Sequence, residues 1–132
     1  MDDPKQMTEE DWIKKLSQEE FQILRLKGTE RPWTGKFLNN KKSGIYICKG
    51  CGKELFKSST KFDSGCGWPS FFEPIKSENV TETSDRTHGM VRTEITCSNC
   101  DGHLGHVFDD APDQPTGLRY CINSVSLDFK EE

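Results

Sequence analysis

The sequence predicts a mainly β protein that begins with short helices, and three observations support this fold class. From residue 44 onward, short apolar or alternating runs are separated by Gly, Pro, Asn and Asp, as in strands joined by turns. Two Cys-x-x-Cys pairs lie among these runs at a spacing typical of metal sites. Two capping-box patterns near the N-terminus predict short helices ahead of the strands.

Length and composition predict one domain over residues 1–132 with a modest core. Only 32% of the 132 residues are hydrophobic, and six cysteines could staple such a core as disulfides or as metal ligands. The N-terminus has no positive region followed by an apolar run, and no stretch approaches the ~18 apolar residues of a membrane span. We therefore expect a monomer in the reducing cytoplasm, without a membrane partner. The net charge of −4 argues against a nucleic-acid partner.

The N-terminal third is predicted to be a packing unit. Residues 1–7 are expected to form a mobile tail and residues 8–28 two amphipathic helices, which start at the capping residues Thr8 and Ser17. Gly28 is the expected stop of the second helix. The turn formers that follow predict an ordered connector.

Residues 44–129 are predicted to form a β region, the catalytic part of the chain, that a zinc ion holds together. Segments 76–89 and 109–117 lack apolar periodicity and are predicted to be loops. The candidate strands lie at 45–48, 54–56, 71–75, 90–96, 104–108 and 118–129.

The two Cys-x-x-Cys pairs, each followed closely by a glycine, predict a structural zinc site. Four thiolates make a closed tetrahedral shell with no position for substrate. The 45 residues between the pairs indicate two separate hairpin tips rather than a compact zinc ribbon. A histidine ligand at His103 and a redox role for either pair are the alternatives. The expected ligands are Cys48, Cys51, Cys97 and Cys100.

Cys121 lies outside every metal-binding spacing, in an alternating run that predicts a strand. On such a strand Cys121 shares one face with Arg119 and Asn123, and a nearby guanidinium favours the reactive thiolate. The alternative is a buried cysteine that acts as a small apolar residue. Cys66 is the other unassigned thiol, flanked by glycines and followed by Trp68. Two such thiols suggest a pair in which one is oxidised and the other resolves it by disulfide formation.

His103 and His106 follow the second cysteine pair closely, and imidazoles suit proton transfer near neutral pH. The alternative is a pair of surface or hydrogen-bonded core histidines. His88 is interpreted as a loop residue.

Three blocks, at 65–71, 102–110 and 119–124, together resemble the signature blocks of the methionine-R-sulfoxide reductase B family. The similarity extends from about residue 8 to residue 129 and includes the cysteine pairs. It implies a tent-like fold of two antiparallel sheets, with zinc at the edge away from the active site. It also implies that Cys121 attacks methionine sulfoxide in oxidised proteins, that Cys66 resolves the resulting sulfenic acid, and that thioredoxin reduces the disulfide.

The same resemblance implies the residues that contact substrate. Trp68 would hold the substrate methyl group, with Phe108 as a further binding residue. One of the polar groups would protonate the sulfoxide oxygen, but the sequence does not identify which. These groups are His103, His106, Asp110, Arg119 and Asn123.

Two other classes of protein remain open from the residues alone. A non-catalytic zinc-binding β module would need the cysteine pairs but not Cys66, His106 or the run around Cys121. A secreted disulfide scaffold would need all six cysteines paired.

Overall fold

The computed structural model describes residues 4–86, 89 and 91–132, so the prediction for His88 lies outside the described residues. Two helices come first, α1 (Glu9–Lys15) and α2 (Gln18–Leu24). The predicted capping boxes are confirmed. The Thr8 hydroxyl accepts a hydrogen bond from a backbone N–H at 3.2 Å, and the Ser17 hydroxyl accepts one at 3.1 Å.

Helix α2 ends earlier than predicted. It stops at Leu24 rather than near Gly28, and Lys27 then adopts a left-handed backbone with φ of 59°. Such a residue cannot continue a right-handed helix. None of the described helices has the length and apolar character that crossing a membrane requires.

Nine strands in the part of the chain that the structure describes form two antiparallel sheets, which confirms the predicted fold class. The smaller sheet has the order β2-β1-β9 and the larger one the order β3-β4-β8-β7-β6-β5. The strands are β1 (Gly44–Cys48), β2 (Glu54–Lys57), β3 (Lys61–Phe62), β4 (Ser70–Phe71), β5 (Val80–Asp85), β6 (Arg92–Cys97), β7 (His103–Phe108), β8 (Arg119–Ile122) and β9 (Leu127–Glu131).

The core lies between the two sheets and consists largely of aromatic side chains. Phe56 of the small sheet stacks on Phe71 of the large sheet with ring centroids 4.4 Å apart, and Tyr46 meets Phe71 edge-on at 5.1 Å. Ile95 and Ile122 are fully buried on the inner face of the large sheet. The opposite face of β6, β7 and β8 is therefore available for polar side chains.

The loop prediction for residues 76–89 was wrong. Strand β5 pairs with β6 over six residues, from Val80 opposite Cys97 to Asp85 opposite Arg92. Most β5 side chains are exposed because β5 is an edge strand. An edge strand with exposed polar side chains has no apolar periodicity that a sequence analysis could detect.

Two predicted strands are shorter than expected. The run 118–129 is interrupted by a 3₁₀ turn at Ser124–Ser126, so that β8 joins the large sheet and β9 the small one. In the run 71–75, only Phe71 belongs to a strand. The interruption at 124–126 is thus the point where the chain passes between the sheets.

Candidate active site and metal centre

The four cysteines of the Cys-x-x-Cys pairs form one cluster that could hold a metal ion. Their sulfur atoms all lie within 4.8 Å of one another, with Cys48 and Cys100 at 3.6 Å and Cys51 and Cys97 at 3.5 Å. Tetrahedral zinc with Zn–S bonds of about 2.3 Å would place its sulfur ligands about 3.8 Å apart. His103 is not part of the cluster.

The chemistry of this cluster also fits a cation. Its thiols hydrogen-bond to one another, so contact with Cys100 raises the pKa of Cys48 while contact with Cys100 lowers that of Cys51. Four sulfurs at these distances cannot all be thiolates without a positive charge between them. Cys48 ends β1 and Cys97 ends β6, so a metal ion here would link the two sheets.

The helices pack beside the same cluster. Arg25 donates a hydrogen bond from Nη1 to the carbonyl of Cys100 at 2.7 Å, and its guanidinium stacks on the buried Trp12 ring at 4.7 Å. The N-terminal helices thus cover the cysteine turns, as their predicted packing role requires.

The remaining two cysteines form a second, separate sulfur site. The sulfurs of Cys66 and Cys121 are 3.1 Å apart, although 55 positions separate them in the chain. Cys121 is buried in β8 opposite Ser70 of β4, while Cys66 is half-buried in the loop before β4. Approach by about 1 Å would bring the two sulfurs to disulfide distance.

Arg119 connects this thiol pair to an acidic partner. Its Nη1 donates to the Cys121 sulfur at 2.6 Å, and its Nε and Nη2 donate to the two carboxylate oxygens of Asp110 at 2.8 Å each. The guanidinium also lies 4.6 Å from the centre of the Phe108 ring. Bidentate pairing fixes the guanidinium plane, so Asp110 orients the cation that contacts Cys121.

The contact between the two thiols shifts their pKa values in opposite directions. The pKa of Cys66 is lowered, first because its thiolate accepts a hydrogen bond from the Cys121 thiol. The pKa of Cys121 is raised, first by the same contact and next by burial, whereas Arg119 acts to lower it. The predicted effect of Arg119 is therefore present, but the neighbouring thiol opposes it. Without the contact to Cys66, the Arg119 guanidinium would favour the thiolate at Cys121.

Replacing Cys66 with serine is expected to lower the pKa of Cys121. The substitution removes the largest cause that raises this pKa and leaves Arg119 in place. Because the thiolate then persists to lower pH, alkylation of Cys121 by iodoacetamide should reach its midpoint at a lower pH than in the wild type. Mass spectrometry of Cys121 over a pH series measures this. A midpoint at equal or higher pH would contradict the expectation.

The loop that carries Cys66 is shaped by close contact with the connector after α2. Gly67 has φ of 93°, and a Cβ atom there would lie 2.6 Å from the Pro32 side chain. Its carbonyl accepts a hydrogen bond from the backbone N–H of Trp33 at 2.7 Å. Hydroxyls of Ser64 and Ser70 contact the Cys66 sulfur at 2.9 and 3.3 Å. Glycine is required at position 67 because a side chain there would clash with Pro32 and because the left-handed backbone disfavours other residues.

A cavity of about 250 Å³ opens beside the thiol pair. It contains seven of the nine residues predicted to be catalytic or substrate-binding, and it lacks His103 and Asp110. Its lining residues are Thr29, Cys66, Trp68, Arg92, Gly105, His106, Phe108, Arg119, Cys121 and Asn123.

Glu30 of the connector holds two of these lining residues. Its carbonyl accepts from the Trp68 indole N–H at 3.1 Å, and its backbone N–H donates to the Asn123 side chain at 3.0 Å. Its buried carboxylate accepts from the backbone N–H of Val125 at 2.9 Å, and burial raises its pKa. Asn123 in turn donates to the carbonyl of Leu104 at 2.9 Å. Asn123 therefore holds backbone segments together at the cavity wall.

The two predicted histidines have different surroundings. His106 lies directly opposite Cys121 across β7 and β8 and lines the cavity. His103 is 3% exposed and its Nδ1 lies 2.8 Å from the buried carboxylate of Glu94. A shift in the β6–β7 register leaves Leu104 as an extra residue, so His103 does not follow the alternation set by His106. Burial lowers the pKa of His103.

Sequence reasoning missed several groups of this site. Thr29 and Arg92 line the cavity, Glu30 holds its wall, and Asp85 contacts His106. For Arg92 the sequence contains a usable signal, because Arg92 and Glu94 alternate along β6 and share one face of it. Glu94 lies opposite His106 on β7, so Arg92 is on the same face of the large sheet as His106. No local pattern identifies Asp85, which lies in the strand predicted to be a loop.

These features together define a class of protein: a two-sheet fold with a four-cysteine metal centre and a separate thiol pair in a cavity with arginine, imidazole and indole. The SelR domain model matches residues 16–131. The chain is 61% identical over 123 residues to the "Peptide methionine sulfoxide reductase MsrB" of Pseudomonas putida (strain W619), covering 93% of this chain and 92% of that one. It therefore belongs to the SelR domain family, which confirms the resemblance to the methionine-R-sulfoxide reductase B proteins.

A second relative and one solved structure extend this comparison. The protein of the same name from Acinetobacter baylyi (strain ATCC 33305 / BD413 / ADP1) is 58% identical over 125 residues, covering 95% of this chain and 89% of that one. The "Crystal Structure of Mis18 'Yippee-like' Domain" matches 69% of this chain and 98% of its own, with a TM-score of 0.54 and 17% identity. At that identity the likeness concerns the fold alone.

Proposed function

We propose that this chain reduces the R epimer of methionine sulfoxide in oxidised proteins to methionine. The observation that carries the proposal is the pair of thiols 3.1 Å apart in a cavity that also contains Arg119 and His106. The relatives named as peptide methionine sulfoxide reductases support the substrate class. A non-catalytic β module would have no use for this second sulfur site.

In the first step, the Cys121 thiolate would attack the sulfoxide sulfur while a proton is delivered to the oxygen. The oxygen ends on Cys121 as a sulfenic acid, methionine leaves, and two electrons pass from the cysteine sulfur to the methionine sulfur. Arg119 would hold the thiolate through its 2.6 Å contact. The Trp68 ring, fixed through its N–H to the carbonyl of Glu30, would hold the substrate methyl group.

In the second step, the Cys66 sulfur would displace water from the sulfenic acid and form a disulfide with Cys121. The hydroxyls of Ser64 and Ser70 also lower the pKa of Cys66 and would still contact its sulfur in this step, which supports the role because the thiolate is the attacking form. A dithiol protein of the thioredoxin type would then reduce the disulfide. Cys66 is the more exposed of the two cysteines and is on a loop, which suits attack from outside.

We propose that the four-cysteine cluster binds one structural Zn²⁺. Its sulfur distances and the matched pairs of cysteines support zinc, which is the usual metal of such sites. With four sulfur ligands the metal would have no open position for substrate, and its contribution would be to join the sheets. We further propose that the chain acts as a monomer in the cytoplasm.

The proposed reaction is tested with the separated R and S epimers of methionine sulfoxide in a peptide. Turnover with a thioredoxin system is expected for the R epimer, with a kcat/KM for the S epimer lower by at least about 10²-fold, since an inverted sulfur exchanges methyl and oxygen positions. Free methionine sulfoxide serves as a second substrate. Equal turnover of both epimers would refute the stereochemical proposal, and turnover of neither would refute the reaction.

We propose that His106 is the acid, because it lines the cavity whereas His103 is buried against Glu94. His106→Ala is expected to slow sulfenic acid formation by roughly 10²- to 10⁴-fold. His103→Ala is the matched control and should lower the melting temperature with a much smaller effect on this step, since it leaves the Glu94 carboxylate without its imidazole partner. Single-turnover methionine counting measures both. Wild-type rates in both variants would make a bound water the candidate acid.

A further inference from the structure

The imidazole of His106 has a carboxylate partner to which the proposed reaction assigns no role. Its Nε2 lies 2.8 Å from Oδ2 of Asp85, the last residue of β5. The side chains are 12% and 15% exposed, so solvent screens this contact only weakly. Arg92, which lies opposite Asp85 on β6, has its Nη2 3.5 Å from the same oxygen.

Strand register explains how these groups meet. Glu94 lies opposite His106, and His106 lies opposite Cys121, so the imidazole stands beside the thiol on one face of the large sheet. Asp85 reaches that imidazole from the edge strand. The backbone thus sets where the ring is, and the carboxylate sets which ring nitrogen turns toward the edge.

A carboxylate is only an acceptor, so a hydrogen bond to it requires a hydrogen on Nε2 of His106. Nδ1 then has no hydrogen-bond partner among the described residues, so it is the ring nitrogen that remains to act on a ligand in the cavity that His106 lines. We propose that Asp85 is a positioning residue that keeps a hydrogen on Nε2 of His106 and so presents Nδ1 to the sulfoxide oxygen. This inference rests on the proposed function.

The chemical consequence is a defined direction of proton transfer. In the imidazolium form, Nδ1–H donates to the sulfoxide oxygen, and the proton passes to that oxygen as the Cys121 sulfur attacks the sulfoxide sulfur. The S–O bond to the methionine sulfur then breaks as an O–S bond to Cys121 forms, which gives the sulfenic acid and methionine. The neutral ring that remains keeps its Nε2–H on Asp85 throughout. Without Asp85 the neutral ring can place its hydrogen on either nitrogen, and the ring can rotate.

The same molecule contains a comparison for this arrangement. His103 and Glu94 also form an imidazole–carboxylate contact of 2.8 Å, but both are buried and neither lines the cavity. Lys27 lies 3.4 Å from the other oxygen of Glu94. That pair therefore serves packing, and it shows that an imidazole–carboxylate contact alone does not make a proton donor to the cavity.

The test uses Asp85→Ala, Asp85→Asn and the control Glu82→Gln, an exposed carboxylate on the same strand. Long-range ¹H–¹⁵N NMR of the imidazole assigns the hydrogen to Nε2 or Nδ1, and single-turnover kinetics measures the first step. Asp85→Ala is expected to lose the Nε2–H preference and to slow the first step by roughly 10²-fold, with little change in KM.

Asp85→Asn is expected to recover both properties in part. Arg92 and His106 both approach Oδ2 of Asp85, so an amide would turn its oxygen toward these two donors and keep the Nε2–H form. Glu82→Gln should match the wild type in both measurements. Partial recovery by asparagine also excludes a general folding defect as the cause of the alanine effect.

Two outcomes would overturn the inference: an unchanged Nε2–H signal in Asp85→Ala, or a changed signal with a wild-type first step. The NMR measurement needs no turnover, which keeps this test separate from that of the proposed function. If the wild type has the Nε2–H form but reduces neither epimer, the proposed function and the catalytic use of Asp85 both fail, while the contact itself is established.

Discussion

Cys121→Ser is expected to make no methionine from methionine sulfoxide, even in the first turnover. A serine hydroxyl at this position is not ionised and cannot take up the sulfoxide oxygen as a stable sulfenic acid. Cys66 is not expected to take over this role. The Arg119 guanidinium donates its hydrogen bond to the sulfur at position 121, at 2.6 Å, and favours the thiolate there. Rapid-quench counting of methionine per enzyme, without reductant, measures the effect.

Cys66→Ser is the matched variant, since it makes the same atomic change 3.1 Å away. It should still form about one methionine per enzyme and then stop at a Cys121 sulfenic acid, because no resolving thiol remains. Mass spectrometry after dimedone labelling identifies that acid. If Cys66→Ser makes nothing while Cys121→Ser makes one equivalent, the two roles are reversed. If both variants sustain turnover with thioredoxin, the mechanism of two cysteines must be abandoned.

Cys48→Ser and Cys97→Ser are expected to lose zinc and folding stability together. Structural zinc sites contribute on the order of 10 kcal/mol, which is comparable to the whole free energy of unfolding of a typical domain. Cys48 and Cys97 each end a strand in a different sheet, so the loss should remove one link between the two sheets. Even a loss of about 3 kcal/mol would lower the melting temperature by roughly 10 °C.

Cys66→Ser is the control here too, because it removes a thiol outside the metal cluster. It should keep one zinc per chain, by elemental analysis, and a melting temperature close to that of the wild type. A zinc-free Cys48→Ser protein that melts like the wild type would contradict a structural metal. Loss of zinc from His103→Ala would instead mean that this histidine is a ligand.

Much of this protein is determined by local patterns in its sequence. The capping boxes at Thr8 and Ser17 predicted both helix starts, because a helix N-terminus depends on residues within one turn. The two Cys-x-x-Cys turns predicted the metal cluster, since each turn places two sulfurs together by itself. Period-two alternation also predicted that Arg119 and Cys121 share a face, and their contact confirms it.

Relations between distant strands were decided by the tertiary structure alone. The register of β7 against β6 contains an extra residue, so that His103 lies opposite Thr96 and contacts Glu94, while His106 lines the cavity. Strand β5 has exposed polar side chains, so its existence depends on backbone pairing with β6, and Asp85 reaches His106 only through that pairing. A sequence pattern reports which side chains a segment buries. The alignment of one strand against another also depends on bulges and edge pairing, and the sequence of a single strand does not contain that information.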